Sequence, residues 1–454
     1  MAGEGGGNAL DCSDYSRFFS ERAKALPQNP FVHLLPLMRD PAAKVLCQGV
    51  PPDTTFPLQS LRATLADGTE VELCPEDTKL AQRYPPFAWG PLREWLLEHM
   101  RLLHAPPMRD WDIAIAAGSM SSVDIVCAAL LDRGDAVLVE EYSFTATLDA
   151  LRAYGARLVP VVMDCDGIQP EALVAACTAL AAEGCRAKML YTVPVGHNPT
   201  GTSLASCRYR EIYAIARRFD LLVVEDDAYF YEQHSQREPV PRGKGGGSAT
   251  VAETAQAEEG LPGLRLGPSF LSIDEDGRVL RLDSFSKFLA PGFRIGWVSG
   301  ASPLVAKYNA LAYASSQNGC SLSIMLLGRM LQQWGQDGLE VHLRNLQGTL
   351  RARCAALVIA AEEHLGELAT IWRRPQAGMF LWVKLSRTPE HIEELIKLMR
   401  EHGVAVLPGG FCSAKNNLGD TCPFVRLSFV LAEDHYPEAM RRLGALTEAI
   451  GVKP

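Results

Sequence analysis

Several short segments carry residue types that could do chemistry together. The first is "RLDSFSKFLAPGFRIGW", Arg281 to Trp297, which sets Ser284, Ser286, Lys287 and Arg294 between two apolar runs. A lysine at the carboxyl end of a strand is partly desolvated, and desolvation favours the neutral amine that condenses with an aldehyde. The two serines offer hydroxyls to a phosphate, and Arg294 offers a planar, permanently charged fork. Serine–lysine runs also occur on ordinary surfaces, so by itself this segment leaves a solvated elbow open. Arg281 gains no role and is expected on the solvent side of its strand.

A second segment, "DLLVVEDDAYF", ends a strand in Asp226 and Asp227, with Tyr229 following. Either it is a solvated strand terminus, or Asp226 pairs with a protonated pyridine nitrogen while Tyr229 donates to a phenolic oxygen on the same ring. The second arrangement is the one that keeps pyridoxal phosphate an electron sink. Asp227 should point elsewhere, because strand side chains alternate. In "VPVGHNPTG", Asn198 projects its amide into the same strand-end crevice, Pro199 and Gly201 can be plain turn residues, and His197 reads as a loop histidine without a partner. "AAGSMSS" ends a strand at Gly118 and opens a helix at Ser119, which offers either an anion site or an ordinary serine cap. Arg426, inside the apolar run "PFVRLSFV", needs an anion: a carboxylate gripped bidentately, or a structural ion pair.

What must position these groups is an alternation of strands and helices that starts near residue 111. Strands are expected at "WDIAIAAGS", "DAVLVEE", "ARLVPVVMD", "KMLYTVP", "DLLVVEDD", "RVLRLDS" and "RIGWVSG". Helices are expected at "MSSVDIVCAALLDRG", "TATLDALRAYG", from Gln169 onward, and at "SLASCRYREIYAIARRF". Short runs of Val, Ile and Leu alternating with helices imply an α/β fold, its largely parallel sheet covered on both faces, with ligands at the carboxyl ends of the strands. After about residue 340, "EVHLRNLQGTLRARCAALVIAAEEHLG" reads as one helix, followed by "GMFLWVKL", a further helix, "GVAVLPGG" and "PFVRLSFV", which suits a smaller α+β lobe. Ser235 to Gly263 is rich in Gly, Ala, Pro, Glu and Ser and reads as a flexible surface loop. Asp276-Gly277 reads as the tight turn of a hairpin, since "IDEDGRV" lacks the calcium-loop pattern.

Composition narrows the function classes. The chain has 454 residues, 47% of them apolar and 21% charged, which is ordinary for a globular enzyme. A net charge of -9 speaks against nucleic acid or an anionic membrane as the main partner. No run of about 18 apolar residues suggests a membrane span, and the N-terminal "MAGEGGGNALDCSDYSRFF" lacks the apolar core of a signal peptide. The 12 cysteines form no C-x-x-C pair, so reduced, mostly buried thiols of a cytoplasmic protein are expected.

Together, N-P-T-G at Asn198 to Gly201, D-x-x-Y at Asp226 to Tyr229, S-x-S-K at Ser284 to Lys287, Arg294 and the late Arg426 resemble the class I/II aminotransferases of pyridoxal phosphate (PLP) fold type I, over nearly the whole chain. "DYSRFFSERA" and "GVPPDTTFP" resemble the subgroup of 2-aminoadipate/kynurenine and fungal aromatic-amino-acid aminotransferases. The resemblance implies a large domain (residues 86–335) with a mostly parallel seven-stranded sheet between helices and a flexible insertion at 235–263. It also implies a small C-terminal α+β domain (336–454) and an N-terminal arm with part of the small domain (1–85).

For the residues, the resemblance implies that Lys287 bonds covalently to pyridoxal 5'-phosphate and shuttles a proton between the amino-acid α-carbon and the cofactor. Asp226 would hold the pyridinium, Tyr229 and Asn198 the ring oxygen, and Ser119, Ser284, Ser286 and Arg294 the phosphate. Met120 stands where the family usually has glutamine. Phe144 would stack on the ring, with Tyr142 as the competing choice. Tyr84 would reach the partner subunit's phosphate in a homodimer, and Arg426, Asn198 and Gly49 would meet the substrate. The activity implied is transamination between an α-amino acid and a 2-oxo acid such as 2-oxoglutarate, with a β-lyase or other PLP reaction as the alternative.

Overall fold

The structure, a computed structural model, describes residues 10–451 except 11–13, 28–33, 35, 39, 41, 48, 86–88, 235–263, 265 and 416–421. The low-complexity segment Ser235 to Gly263 thus lies outside the described residues. An N-terminal hairpin pairs β1 (Leu61–Thr64) with β2 (Glu70–Leu73). The main sheet uses β3 (Trp111–Ala116), β4 (Ala136–Glu140) and β5 (Arg157–Val161), and a small β6 (Met163–Asp164)/β7 (Gly167–Ile168) pair follows. Next come β8 (Ala187–Thr192), β9 (Leu222–Asp226), β10 (Val279–Ser284) and β11 (Gly296–Ala301). The sheet has seven strands in the order β3-β11-β10-β9-β8-β4-β5. All are parallel except β11, which runs antiparallel to both neighbours.

Every residue of β4, β9, β10 and β11 is buried, as expected where helices cover both faces of a sheet. The intervening helices Ser119–Leu130, Thr145–Ala153, Pro170–Ala182 and Ser206–Arg218 lie where the apolar periodicity puts them. A second, antiparallel sheet takes β12 (Ala369–Ile371), β13 (Phe380–Leu385), β14 (Leu407–Pro408) and β15 (Phe424–Ser428), in the order β12-β13-β15-β14. Each sheet faces its own hydrophobic core.

Several expectations need correction. Arg281 is not on a solvent face: it is fully buried in β10, where its guanidinium pairs with Glu225, Asp227 and Asp283 at 3.3, 2.8 and 2.8 Å. A central strand has no solvent side, so a charge there must find charge partners. They come from alternation: Glu225 lies opposite Arg281 in register, and Asp227 and Asp283 sit two residues further along the same face.

Asp276-Gly277 does not close a hairpin. Asp274 accepts from the N–H groups of Gly277, Arg278 and Val279, and this loop feeds a strand parallel to β9. The long helix begins at Ser321, well before residue 340, and runs to Leu365 with a break at Gly335 (φ 62°, ψ -170°). Its first half packs on the helix Gly90–His104, where a Cβ on Gly328 would sit 2.8 Å from Leu92 N. Of the eleven described cysteines, all free, four are buried and six exposed, because most sit in loops or on outward helix faces. Among the described residues no helix is long and apolar enough to cross a membrane.

Candidate active site

The carboxyl ends of β3, β4, β8, β9 and β10 all face one side of the sheet, and the segments that leave them bring the expected residues together. From β9, Asp226 is buried. Its Oδ2 accepts from Tyr191 OH at 2.7 Å, while Oδ1 has no partner among the described residues. Burial pushes this carboxyl up to about 6, against the pull of the tyrosine hydrogen bond. Tyr191 is itself held by Thr147 at 3.1 Å, from the first turn of the helix after β4. Asp227 turns to the opposite face and joins Arg281.

Beyond β9, Tyr229 is buried and stands edge-on to Phe380. Asn198, after β8, donates to Tyr229 OH at 3.5 Å and accepts from Arg426 Nη1 at 2.7 Å. The Asn198–Pro199 peptide is cis. Gly201 (φ 65°) comes so close to β13 that a Cβ would lie 2.1 Å from Phe380 O. Only a glycine therefore lets the loop carrying Asn198 dock on the strand that pairs with β15 and Arg426. Arg426 lies 4.2 Å over the Phe380 ring, has no carboxylate partner among the described residues, and is pushed down by burial. His197 is not a partnerless loop residue. It is buried, with Nδ1 2.8 Å from Thr200 and Nε2 3.8 Å from Glu140, because the loop folds back across the end of β4.

The segment after β10 forms a single turn, Phe285–Phe288. Ser284 caps it by accepting from Ser286 N at 3.2 Å. Lys287 Nζ stands 5.6 Å over the Tyr229 ring. Arg294, in a left-handed conformation (φ 54°), is exposed and donates weakly to Ser286 Oγ (3.4 Å) and Ala117 O (3.5 Å). A Cβ on Gly118 (φ 93°) would lie 2.6 Å from Arg294 Nη2, so the glycine makes room for the guanidinium beside the N-terminus of the helix starting at Ser119. Gly118, not Ser119, is the cap residue, so the serine hydroxyl is not committed to capping. Met120 Sδ lies 4.0 Å from Thr147 Oγ1.

Of the two aromatic candidates after β4, Tyr142 is packed edge-on against Trp382 and Phe424, while Phe144 is half-buried at the start of its helix. Tyr84 is half exposed. With Val50, Phe56, Gln317, Gly319 and Ser321 it lines a groove of about 640 Å³, and Gly49 is exposed next to Val50. The groove runs up to the loop before Gly118, since a Cβ on Gly319 would lie 3.8 Å from Ala117 Cα.

These residues fit a phosphorylated pyridine aldehyde. A buried, unpartnered carboxyl oxygen is satisfied by a protonated ring nitrogen, and a helix N-terminus beside a guanidinium with no carboxylate partner among the described residues is satisfied by a phosphate. Lys287 supplies an amine, and Arg426 supplies a cation awaiting an anion. Sequence motifs missed Tyr191 and Thr147, which orient Asp226. The available signal was a tyrosine near the end of "KMLYT" on the strand beside β9.

A family model described as aminotransferase class I and II matches residues 45–443. The mitochondrial kynurenine/alpha-aminoadipate aminotransferase of Bos taurus is 31% identical over 454 residues, covering 95% of this chain and 99% of that protein. An aromatic amino acid aminotransferase of Schizosaccharomyces pombe is 34% identical over 362 residues, covering 77% of this chain and 73% of that protein. The crystal structure of aminotransferase Aro8 from Candida albicans superposes with a TM-score of 0.81 at 27% identity, covering 98% of this chain and 99% of that one.

Proposed function

Since the chain belongs to the class I and II aminotransferases, PLP enzymes of fold type I that perform transamination, we propose that it takes the amino group of an aromatic amino acid, kynurenine or 2-aminoadipate and passes it to a 2-oxo acid such as 2-oxoglutarate. The observation that carries this reading is an unpartnered buried Asp226 Oδ1 at the end of β9, beside the strand β10 that leads directly into the turn carrying Lys287. The substrate class is supported by relatives and a structural neighbour named for aromatic amino acids, kynurenine and aminoadipate.

When bound, the cofactor supplies an aldehyde and a protonated ring that draws electrons from the carbon bearing the amino group. Asp226 Oδ1 keeps a proton on the ring nitrogen, and Tyr191 keeps Asp226 in place. Tyr229 and Asn198 hydrogen-bond the ring oxygen. Ser119, Ser284, Ser286 and Arg294 hold the phosphate with the helix N-terminus, and Met120 adds apolar contact. Phe144 would stack on the ring, since Tyr142 is held by Trp382 and Phe424. Arg426, with Asn198, grips the substrate carboxylate and sets the α-carbon before Lys287. The free Nζ of Lys287 would then act as the base that takes the substrate's α-proton and as the acid that returns it. Gly49 and Tyr84 complete the site, with Tyr84 reaching across a homodimer.

The reading also includes a large PLP-binding domain over 86–335 and a small domain over 336–454, a division supported by the helix break at Gly335. Residues 1–85 form an arm and part of the small domain. A cytoplasmic location is supported by free cysteines throughout the described residues.

Purified protein supplied with cofactor should be yellow, and an amino-acid donor should shift the band. With 2-oxoglutarate present, glutamate should accumulate, and a donor panel will rank substrates. Lys287→Ala should abolish turnover; full activity in that variant would sink the reading. Ammonia without glutamate would favour a lyase instead.

A further inference from the structure

Glu232 ends the short turn Phe230–Glu232, three residues after Tyr229. Its side chain is fully buried, and neither carboxyl oxygen has a hydrogen-bond partner among the described residues. A carboxyl taken out of water without a donor destabilises the fold unless it does something there. Burial pushes it up to about 8, while the charge of Lys287 pulls the other way. The turn packs against Phe285–Phe288, the turn that holds Lys287: the Tyr231 and Phe288 rings lie 4.3 Å apart, and Lys287 Nζ stands over Tyr229.

The other groups around this turn leave the carboxyl to Lys287. Tyr229 is pushed up by burial and stays neutral, and His234 is pushed down to about 4 and also stays neutral. From the helix Ser321–Leu365, Gln347 donates to Tyr231 O, Arg351 to His234 O, and His342 lies against Phe288 O, all backbone atoms. Gly378 N donates to the backbone oxygen of Glu232 at 3.1 Å, not to its carboxyl. Arg426, from β15, and Asp226 act on Tyr229.

We infer that Glu232 is a positioning residue for Lys287, a buried acid that takes up a proton when the lysine amine gives up its charge and returns it when the amine is recharged. The inference rests on the reading of Lys287 as the residue that bonds to the cofactor. In one direction an N–H bond of the ammonium breaks and an O–H bond forms on Glu232, so two opposite charges become two neutral groups. In the other direction the O–H bond breaks and the ammonium is restored. The pair carries no net charge in either state and consumes no other reactant, and a bridging water suffices to carry the proton. Without Glu232, a charge appearing on the part-buried Lys287 would lack this compensation.

The test compares wild type with Glu232→Gln, Glu232→Asp and Glu232→Leu. In protein stripped of cofactor, the pH midpoint for acylation of Lys287 by an amine reagent is read by peptide mass spectrometry. In loaded protein, the pH midpoint of the cofactor absorbance band is read. Removing the counter-charge should lower both midpoints by about one pH unit in the Gln and Leu variants, a tenfold change in proton affinity, and Asp should restore part of the shift. Both neutral variants should melt no lower than wild type, since they remove an unpartnered buried carboxyl. Unmoved midpoints, an equal shift in all three variants, or failure of the neutral variants to fold would each overturn the inference. If instead the band of the wild type survives Lys287→Ala, the reading of Lys287 fails, and the role assigned to Glu232 fails with it.

Discussion

Asp226 shows how one side chain can be both held and left wanting. Tyr191 occupies Oδ2, nothing occupies Oδ1, and burial lifts the carboxyl from 3.8 to about 6. Because the folded value lies above the unfolded one, the favourable contribution is complete below pH 3.8 and is lost as pH rises towards 6. In protein without cofactor this residue should therefore cost on the order of 3 kcal/mol of stability across that window. Asp226→Asn should flatten that part of the curve, and added cofactor should reverse it in wild type by placing a cation at Oδ1. Thermal melts from pH 4 to 7 will check this, and an unchanged slope in Asp226→Asn would contradict it. At this scale the sequence was legible where chemistry is compact. Asn198, Asp226, Tyr229, Lys287 and Arg294 sit in short segments at or just past strand ends, and it was the segments taken together, not any one spacing, that marked them. Tyr191 and Glu232 act through residues far away in the chain, so no local spacing marks them.

At the scale of elements, β9 and β10 carry two kinds of polar side chain on their two faces. One face presents Asp226 to the site. The other holds Arg281 against Glu225, Asp227 and Asp283, with the Phe230 ring 4.6 Å below the guanidinium. Burial pushes Asp227 up, and Glu225 accepts from the N–H groups of Phe270 and Leu271, so the cluster needs Arg281 as its cation. Arg281→Met should lose about 3–5 kcal/mol by leaving buried carboxyls without a counter-charge. Denaturant melts will measure it, and a loss below about 1 kcal/mol, the scale of an exposed ion pair, would contradict it. The strands themselves were legible because Val, Ile and Leu runs between turn residues have few other uses. The face taken by a charge inside such a run was not, because in a doubly covered sheet burial depends on acidic partners from the next strand. The start of the helix at Ser321 was missed for a related reason: its apolar stripe becomes clear only against the helix Gly90–His104.

For the molecule as a whole, the groove at Tyr84 is where the proposed homodimer can be tested. It reaches the loop before Gly118. If Tyr84 serves the neighbouring site, Tyr84→Ala and Lys287→Ala dimers should each be nearly inactive. A mixture refolded together should regain up to about a quarter of wild-type activity, because random pairing of C2 subunits makes half the molecules hybrid, with one intact site each. No recovery, while size-exclusion chromatography shows hybrids, would place Tyr84 in its own subunit's site or in none. The two-core plan was visible in the sequence as a change of rhythm near residue 340, but the element that joins the cores was not. Beyond Gly335 a single apolar stripe, Leu339, Leu343, Leu346, Leu350, Cys354, Leu357, Ala361 and Leu365, passes from one core into the other at helical spacing. Lengthening or shortening the chain by one residue between Leu343 and Leu350 would turn every later side chain by about 100° relative to the earlier ones. That stretch should therefore accept replacements in descendants of this chain and refuse insertions and deletions, even though many of its side chains face water.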